Sequence, residues 1–192
     1  HTFQYAWNFR VDLTPCIVAV TSSQGHTLYS SSTSSTSGSA QYTYPAPSSK
    51  ETITFYITVK SSDGQSASAQ TSVTIYPALS ATISASQTTI PAGSQDAFTV
   101  SVSGGSGSYE YDYYIGSYSS GWTTSNPYGY TFNNPGTYNV YAVVKDTVTG
   151  QTVQTNTITV TVVAKLVINS FTASPSTVTQ GQSVTFSWSF SG

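Results

Sequence analysis

A spacing of 88 residues constrains this chain more than any other feature. Pro91-Ala92-Gly93 followed by Phe98-Thr99-Val100-Ser101-Val102 recurs as Thr179-Gln180-Gly181 followed by Phe186-Ser187-Trp188-Ser189-Phe190, and both anchors move by 88 positions. Tyr42-Thr43-Tyr44 recurs at the same spacing as Tyr130-Thr131-Phe132, and Thr58-Val59-Lys60 recurs 85 positions on as Val143-Val144-Lys145. A repeat of that length is a domain rather than one turn of a solenoid. Every matched piece alternates apolar and polar residues with period two, which sets one face on a core and the other in water.

The complete middle repeat reads as strands near 80–85, 96–103, 108–115, 128–132, 137–145 and 152–163, divided by Gly104-Gly105-Ser106-Gly107, Asn133-Asn134-Pro135-Gly136 and Thr149-Gly150. Turn signals at that interval without a helical period predict an all-β fold of tandem β-sandwiches. Alternation points Phe98, Val100 and Val102, Tyr109, Tyr111 and Tyr113, Tyr138, Val140, Ala142 and Val144, and Ile158, Val160 and Val162 inward. Tyr138 follows Pro135-Gly136-Thr137 at the entry to a core strand. It is either a corner tyrosine whose hydroxyl bonds nearby backbone or an ordinary core aromatic.

Only 6% of the residues carry a charge, against the roughly 25% of ordinary soluble domains, so the surface has to be hydroxyl and amide. The 15 Tyr, 8 Phe and 3 Trp supply enough apolar area to exclude disorder for most of the chain. A net charge of −2 offers no basic stripe, which excludes nucleic acid as a partner. No apolar run reaches the length of a membrane span, and the opening at His1 fits an exported product freed of its leader or an arbitrary boundary. Hydroxyl surfaces do not titrate below about pH 9, which suits an acidic external habitat. Cys16, flanked by Ile17 and Val18, reads as a small buried hydrophobe.

Ser-Gly-Gly-Ser-Gly-Ser-Tyr-Glu-Tyr at 103–111 and Pro-Gly-Thr-Tyr at 135–138 resemble the PKD-like and immunoglobulin-like repeats of archaeal and bacterial cell-surface proteins. The turn that names the PKD family is replaced by Tyr111-Asp112-Tyr113-Tyr114-Ile115-Gly116. The resemblance implies an extracellular, non-catalytic module that serves as spacer, adhesin or filament subunit.

The repeats are out of phase with the chain. Phe3-Gln4-Tyr5-Ala6-Trp7-Asn8-Phe9 resembles Tyr109–Ile115, the third strand of the middle repeat, so residues 1–77 are expected to form a sandwich lacking its first two strands. Residues 78–164 form a complete one, and residues 165–192 add two strands, near 166–172 and 183–190, that belong to a further copy. A two-strand ribbon carrying Phe186, Trp188 and Phe190 on one face is marginal in water. Burying three such side chains contributes on the order of 5–9 kcal/mol before ordering costs. The expected interface therefore joins Phe3, Tyr5, Trp7 and Phe9 of one copy to Val184, Phe186, Trp188 and Phe190 of the next. Head-to-tail pairing of this kind does not close and generates a filament. In this the chain resembles archaeal surface filament subunits built by donor-strand complementation; the alternative is a spacer or adhesion module from a longer repeat protein. The expected partners are copies of itself, with host surfaces or other filaments as further contacts.

Between matched landmarks the first repeat is longer than the middle one by about 18 residues, around 13–39. Cys16-Ile17-Val18-Ala19-Val20 reads there as an added strand and Ser30 to Ser39 as an exposed loop, either adhesive or merely solvated. No catalytic, cofactor or metal site is expected. His1 and His26 have no ligand-spaced neighbour, the aspartates are scattered, and no nucleophile elbow or phosphate loop occurs. Asn-x-Ser/Thr is absent, and Lys50, Lys60, Lys145 and Lys165 read as solvated rather than crosslinked.

Overall fold

The computed structural model describes residues 2–8, 16–35 and 37–192. Among these the chain is all strand and connection, without a helix. It divides into two compact units, one of residues 1–78 with 104–107, the other of 79–103 with 108–192.

The first unit holds β1 (Thr2–Asn8), β2 (Cys16–Ser22), β3 (Thr27–Thr33), β4 (Ser37–Thr43), β5 (Glu51–Lys60) and β6 (Ser66–Ile75). One sheet runs β3-β2-β5-β6 and a second is the antiparallel pair β1-β4. Val18 and Val20 of β2 are buried with Ala40 of β4 packed on them, and a second small cluster joins Ile53, Phe55 and Ile75. Residues expected in an exposed loop, Ser30 to Ser39, instead fall largely in β3 and β4. The backbone of β3 is taken up by β2, with Ser30 opposite Ala19 and Ser32 opposite Ile17. Short hydroxyl side chains tolerate a half-wet pleat once the backbone is paired, so composition alone misreads them.

In the second unit β7 (Ser80–Ala85), β8 (Thr89–Pro91), β9 (Ser94–Ser103), β10 (Tyr109–Ile115), β11 (Tyr118–Ser119), β12 (Tyr128–Phe132), β13 (Gly136–Asp146), β14 (Thr152–Gln154) and β15 (Ile158–Val163) build a sandwich. Its sheets are β12-β9-β7 and β11-β10-β13-β15-β8, with β14 beside β13. Phe98 and Val100 from one sheet meet Tyr113, Val140, Ala142, Val144 and Val160 from the other in one buried core. Val102, Tyr109, Tyr138 and Ile158, also expected inward, pack at its margin.

Two details depart from the sequence reading. The expected strand 152–163 is two strands, because the ladder to β13 ends at Thr155: its N–H still donates to the Ala142 carbonyl at 2.9 Å, but its buried hydroxyl accepts the Ala142 N–H at 3.0 Å, and the Asn156 amide oxygen accepts the Ile83 N–H at 2.9 Å. β8 pairs in parallel with β15, setting Ile90 opposite Val162 and closing the core at its edge. Gly93, at φ +84, makes the turn that follows and donates its N–H to the Phe132 carbonyl at 2.7 Å. Tyr138 satisfies both of its readings. Its hydroxyl donates to the Asn134 carbonyl at 3.0 Å while its ring packs edge-on against Phe132 at 4.9 Å.

Candidate assembly interface

Beyond the sandwich, residues 165–192 form a hairpin of β16 (Val167–Ser174) and β17 (Thr185–Ser191) that pairs with no other strand among the described residues. Its register repeats that of β7 and β9: Phe171 faces Trp188 and Ala173 faces Phe186, as Ile83 faces Val100 and Ala85 faces Phe98. Residues directly opposite share a face, so the hairpin is amphipathic. One side carries Phe171 and Phe186 with rings stacked at 6.0 Å, together with Trp188 and Phe190. The other side is hydroxyl, with Ser170 and Ser189 hydrogen-bonded at 2.7 Å.

In the complete sandwich the corresponding apolar side is covered by the second sheet. Here it is open: Phe171 is 69%, Trp188 66% and Phe190 65% exposed. The side chains leave a cleft of about 430 Å³ lined by Leu166, Ile168, Phe171, Trp188, Ser189 and Phe190. Val184, just before β17, is half-buried. Sequence reasoning placed only the β17 side of this surface. It missed Ile168 and Phe171 because a β-bulge between Ile168 and Ser170 puts two residues three apart on one face, which strict alternation cannot register.

At the other group of expected residues, Phe3, Tyr5 and Trp7 lie on β1, opposite Tyr42, Ala40 and Gly38 of β4, and Phe9 lies outside the described residues. This corrects the strand to which the segment corresponds. β10 pairs with β13, and the strand that pairs in that way with β5 is β2, Val18 opposite Val59 as Tyr111 is opposite Val144. β1 instead sits beside β4 as β9 sits beside β12. Period-two alternation of aromatics is common to both strand types, so it reveals a strand without saying which one. Cys16–Val20 is therefore no added strand, and the apparent insertion shrinks: Val18 to Tyr42 spans 24 positions and Tyr111 to Tyr130 spans 19.

Among the described residues the first unit has no counterpart of β7 or β8, and its interior shows the consequence. Ile57 and Val59 of β5 are half-buried, and across from them Ala69 and Ala67 of β6 are exposed. The counterparts on β13, Ala142 and Val144, are fully buried. A slot is open along β6, whose other edge has no neighbour among the described residues.

No other chemistry gathers. Among the described residues no three His, Cys, Asp or Glu side chains come together, and no helix is long and apolar enough to cross a membrane. The aspartates do structural work: Asp146, fully buried, accepts the Val148 and Thr149 N–H groups at 2.9 Å and shapes the β13–β14 turn.

No curated protein matches the chain. Among solved structures, the fibronectin(III)-like modules of CbhA from Clostridium thermocellum align over 85% of both chains at 13% identity with a TM-score of 0.42. The amphioxus IgVJ-C2 molecule aligns over 84% of this chain and 96% of its own at 9% identity, again with a TM-score of 0.42. Residues 80–161 match the PKD domain. The chain is all-β, and its second unit carries a PKD-like sandwich, a kind of module typical of cell-surface proteins.

Proposed function

We propose that the chain is a structural subunit of an extracellular filament, in which the β16–β17 hairpin of one copy completes the first-unit sandwich of the next. The observation that carries this is the uncovered aromatic face of β16–β17, attached to a sandwich, 79–163, that already holds all of its own strands. A soluble chain that exposes Phe171, Trp188 and Phe190 together gains by covering them, and the open slot of the first unit is of the same sandwich type. Pairing tail to head uses different surfaces on the two copies, so it propagates rather than closes. The partners are then further copies of the chain.

Electron microscopy and sedimentation of the purified full chain beside a form ending at Lys165 test the reading. The full chain is expected to form filaments at micromolar concentration and the shortened form to stay monomeric. Filaments that persist without residues 166–192, or a full chain that stays monomeric at every concentration, overturn it.

A second reading is favoured by one observation: β16 and β17 reproduce the register of β7 and β9, so the hairpin is also the start of a further PKD-like module. In that case the segment is a spacer or adhesion module of a longer surface protein. A parent gene carrying additional repeats on both sides selects it.

A further inference from the structure

The two groups of aromatic residues expected to complement each other are copies of one strand. Ala40 lies 88 positions before Tyr128, and the residues opposite them are Tyr5 and Phe98. Phe98 in turn lies 88 positions before Phe186. Pairing register and repeat spacing therefore equate Tyr5 with Phe186, Trp7 with Trp188 and, in sequence, Phe9 with Phe190. The segments read Tyr-Ala-Trp-Asn-Phe and Phe-Ser-Trp-Ser-Phe, an aromatic at every second place and tryptophan at the same one, where the complete sandwich has Val100.

Each of the two short sheets is also missing what the other holds. In the complete sandwich β9 pairs on one edge with β12 and on the other with β7. β1 has only the first of these neighbours, in the form of β4, and β17 only the second, in the form of β16. Joined as β4-β17-β16 they reproduce β12-β9-β7, and β1 has no place left. The other way to join them, β4-β1-β16, requires the β16–β17 hairpin to come apart along its whole length. Exchange at β4 keeps that hairpin whole and breaks only the β1–β4 ladder.

We infer that β1 is an exchangeable stand-in for β17: the hairpin of a second copy takes the seat of β1 beside β4 and brings β16 with it. Position 38 suits this exchange. It is glycine, opposite Trp7, and the same register sets Trp188 of the incoming strand opposite it. Both strands therefore meet a glycine there, and β1 keeps the β4 edge paired until a second copy arrives, as an unpaired edge invites indiscriminate association. The occupant is a second copy of this chain, so the inference rests on the filament reading.

Two double variants of the full chain, both carrying Cys16→Ala, test it. Residues directly opposite in an antiparallel pair stand about 4.5–5.5 Å apart at Cα, within reach of a disulfide. Ala6→Cys with Ser39→Cys clamps β1 to β4, because these residues are opposite. The oxidised clamp is expected to stay monomeric and to assemble once reduced. Ser39→Cys with Ser187→Cys places a thiol where the incoming strand replaces Ala6, and oxidation is expected to give a ladder of covalently linked copies on a denaturing gel. A clamp that assembles equally well oxidised and reduced, a 39–187 bond formed inside one chain, or assembly without any 39–187 bond overturns the exchange while leaving head-to-tail assembly standing. A chain that never assembles overturns both.

Discussion

Ala142 and Val144 of β13 are fully buried, whereas Ile57 and Val59, their counterparts on β5, are only half-buried although they are as large or larger. Their own strands are alike in length and pairing. The difference lies in the neighbours: β15 is flanked by β8 and lies under the sheet of β7, and buries Val160 and Val162, while β6 has β5 alone and leaves Ala67 and Ala69 in solvent. Burial in a sandwich is thus set by the completeness of the strand set more than by how apolar each strand is. Among the described residues the first unit divides its interior into two small clusters, and the second gathers 13 buried residues into one.

The sharpest way to break this comparison is to hollow out each interior in turn. Phe98 is fully buried and packs edge-on to Phe132 at 6.2 Å, so Phe98→Ala is expected to destabilise the second-unit transition by about 3–5 kcal/mol. Phe55→Ala in the first unit, with fewer buried neighbours, should fall below that range. Chemical denaturation followed by tryptophan and tyrosine signals measures both, and equal costs would remove the distinction between the units.

High pH acts on the second unit through its tyrosines. The Tyr128 hydroxyl is pushed from 10.0 up to about 12, first by its hydrogen bond with Tyr118 at 2.7 Å and then by burial, and burial pushes Tyr113 up as well. A raised folded-state value means the protonated hydroxyl is favoured in the fold. That contribution is fully present below pH 10, where the unfolded chain is protonated too, and is lost as pH rises toward about 12. The denaturation midpoint of the second unit should be level to about pH 10 and then fall. A Tyr128→Phe chain that falls just as steeply would assign the loss to other groups.

Much of the second unit was legible because alternation and turn residues act locally. Phe98, Val100, Tyr111, Tyr113, Val140, Ala142, Val144, Val160 and Val162 were all placed inward by period two and are all buried. What escaped depends on partners distant in sequence. β8 is three residues, too short to show a period, and exists because β15 accepts it in parallel. Thr155 breaks a run that reads as one strand because its hydroxyl accepts a hydrogen bond from a β13 amide. The Ser30–Ser39 stretch becomes strand only because β2 and β1 lie alongside it. The identity of β1 escaped for the same reason: pattern reveals that a strand exists, and only sheet order reveals which strand it is.

A smaller effect tests the corner of the complete sandwich. Tyr138→Phe keeps the ring against Phe132 and removes the hydroxyl that donates to Asn134, which should cost about 1 kcal/mol. The measurement is the shift of the second-unit midpoint at constant slope. No shift would reduce Tyr138 to a packing residue.

The smallest expected effect in the isolated chain is the one that joins the comparison to assembly. Ile57 is half-buried, so Ile57→Ala removes little area that is out of water and should cost the monomer less than about 1 kcal/mol. If the first unit is completed by strands from another copy, Ile57 comes under cover as Ala142 is in the second unit. The same substitution then acquires the cost of a core truncation, about 2–5 kcal/mol, and should lower the dissociation temperature of the assembled material while leaving the monomer nearly unchanged. Equal, small effects in both states would mean that the strand filling the slot does not reach β5.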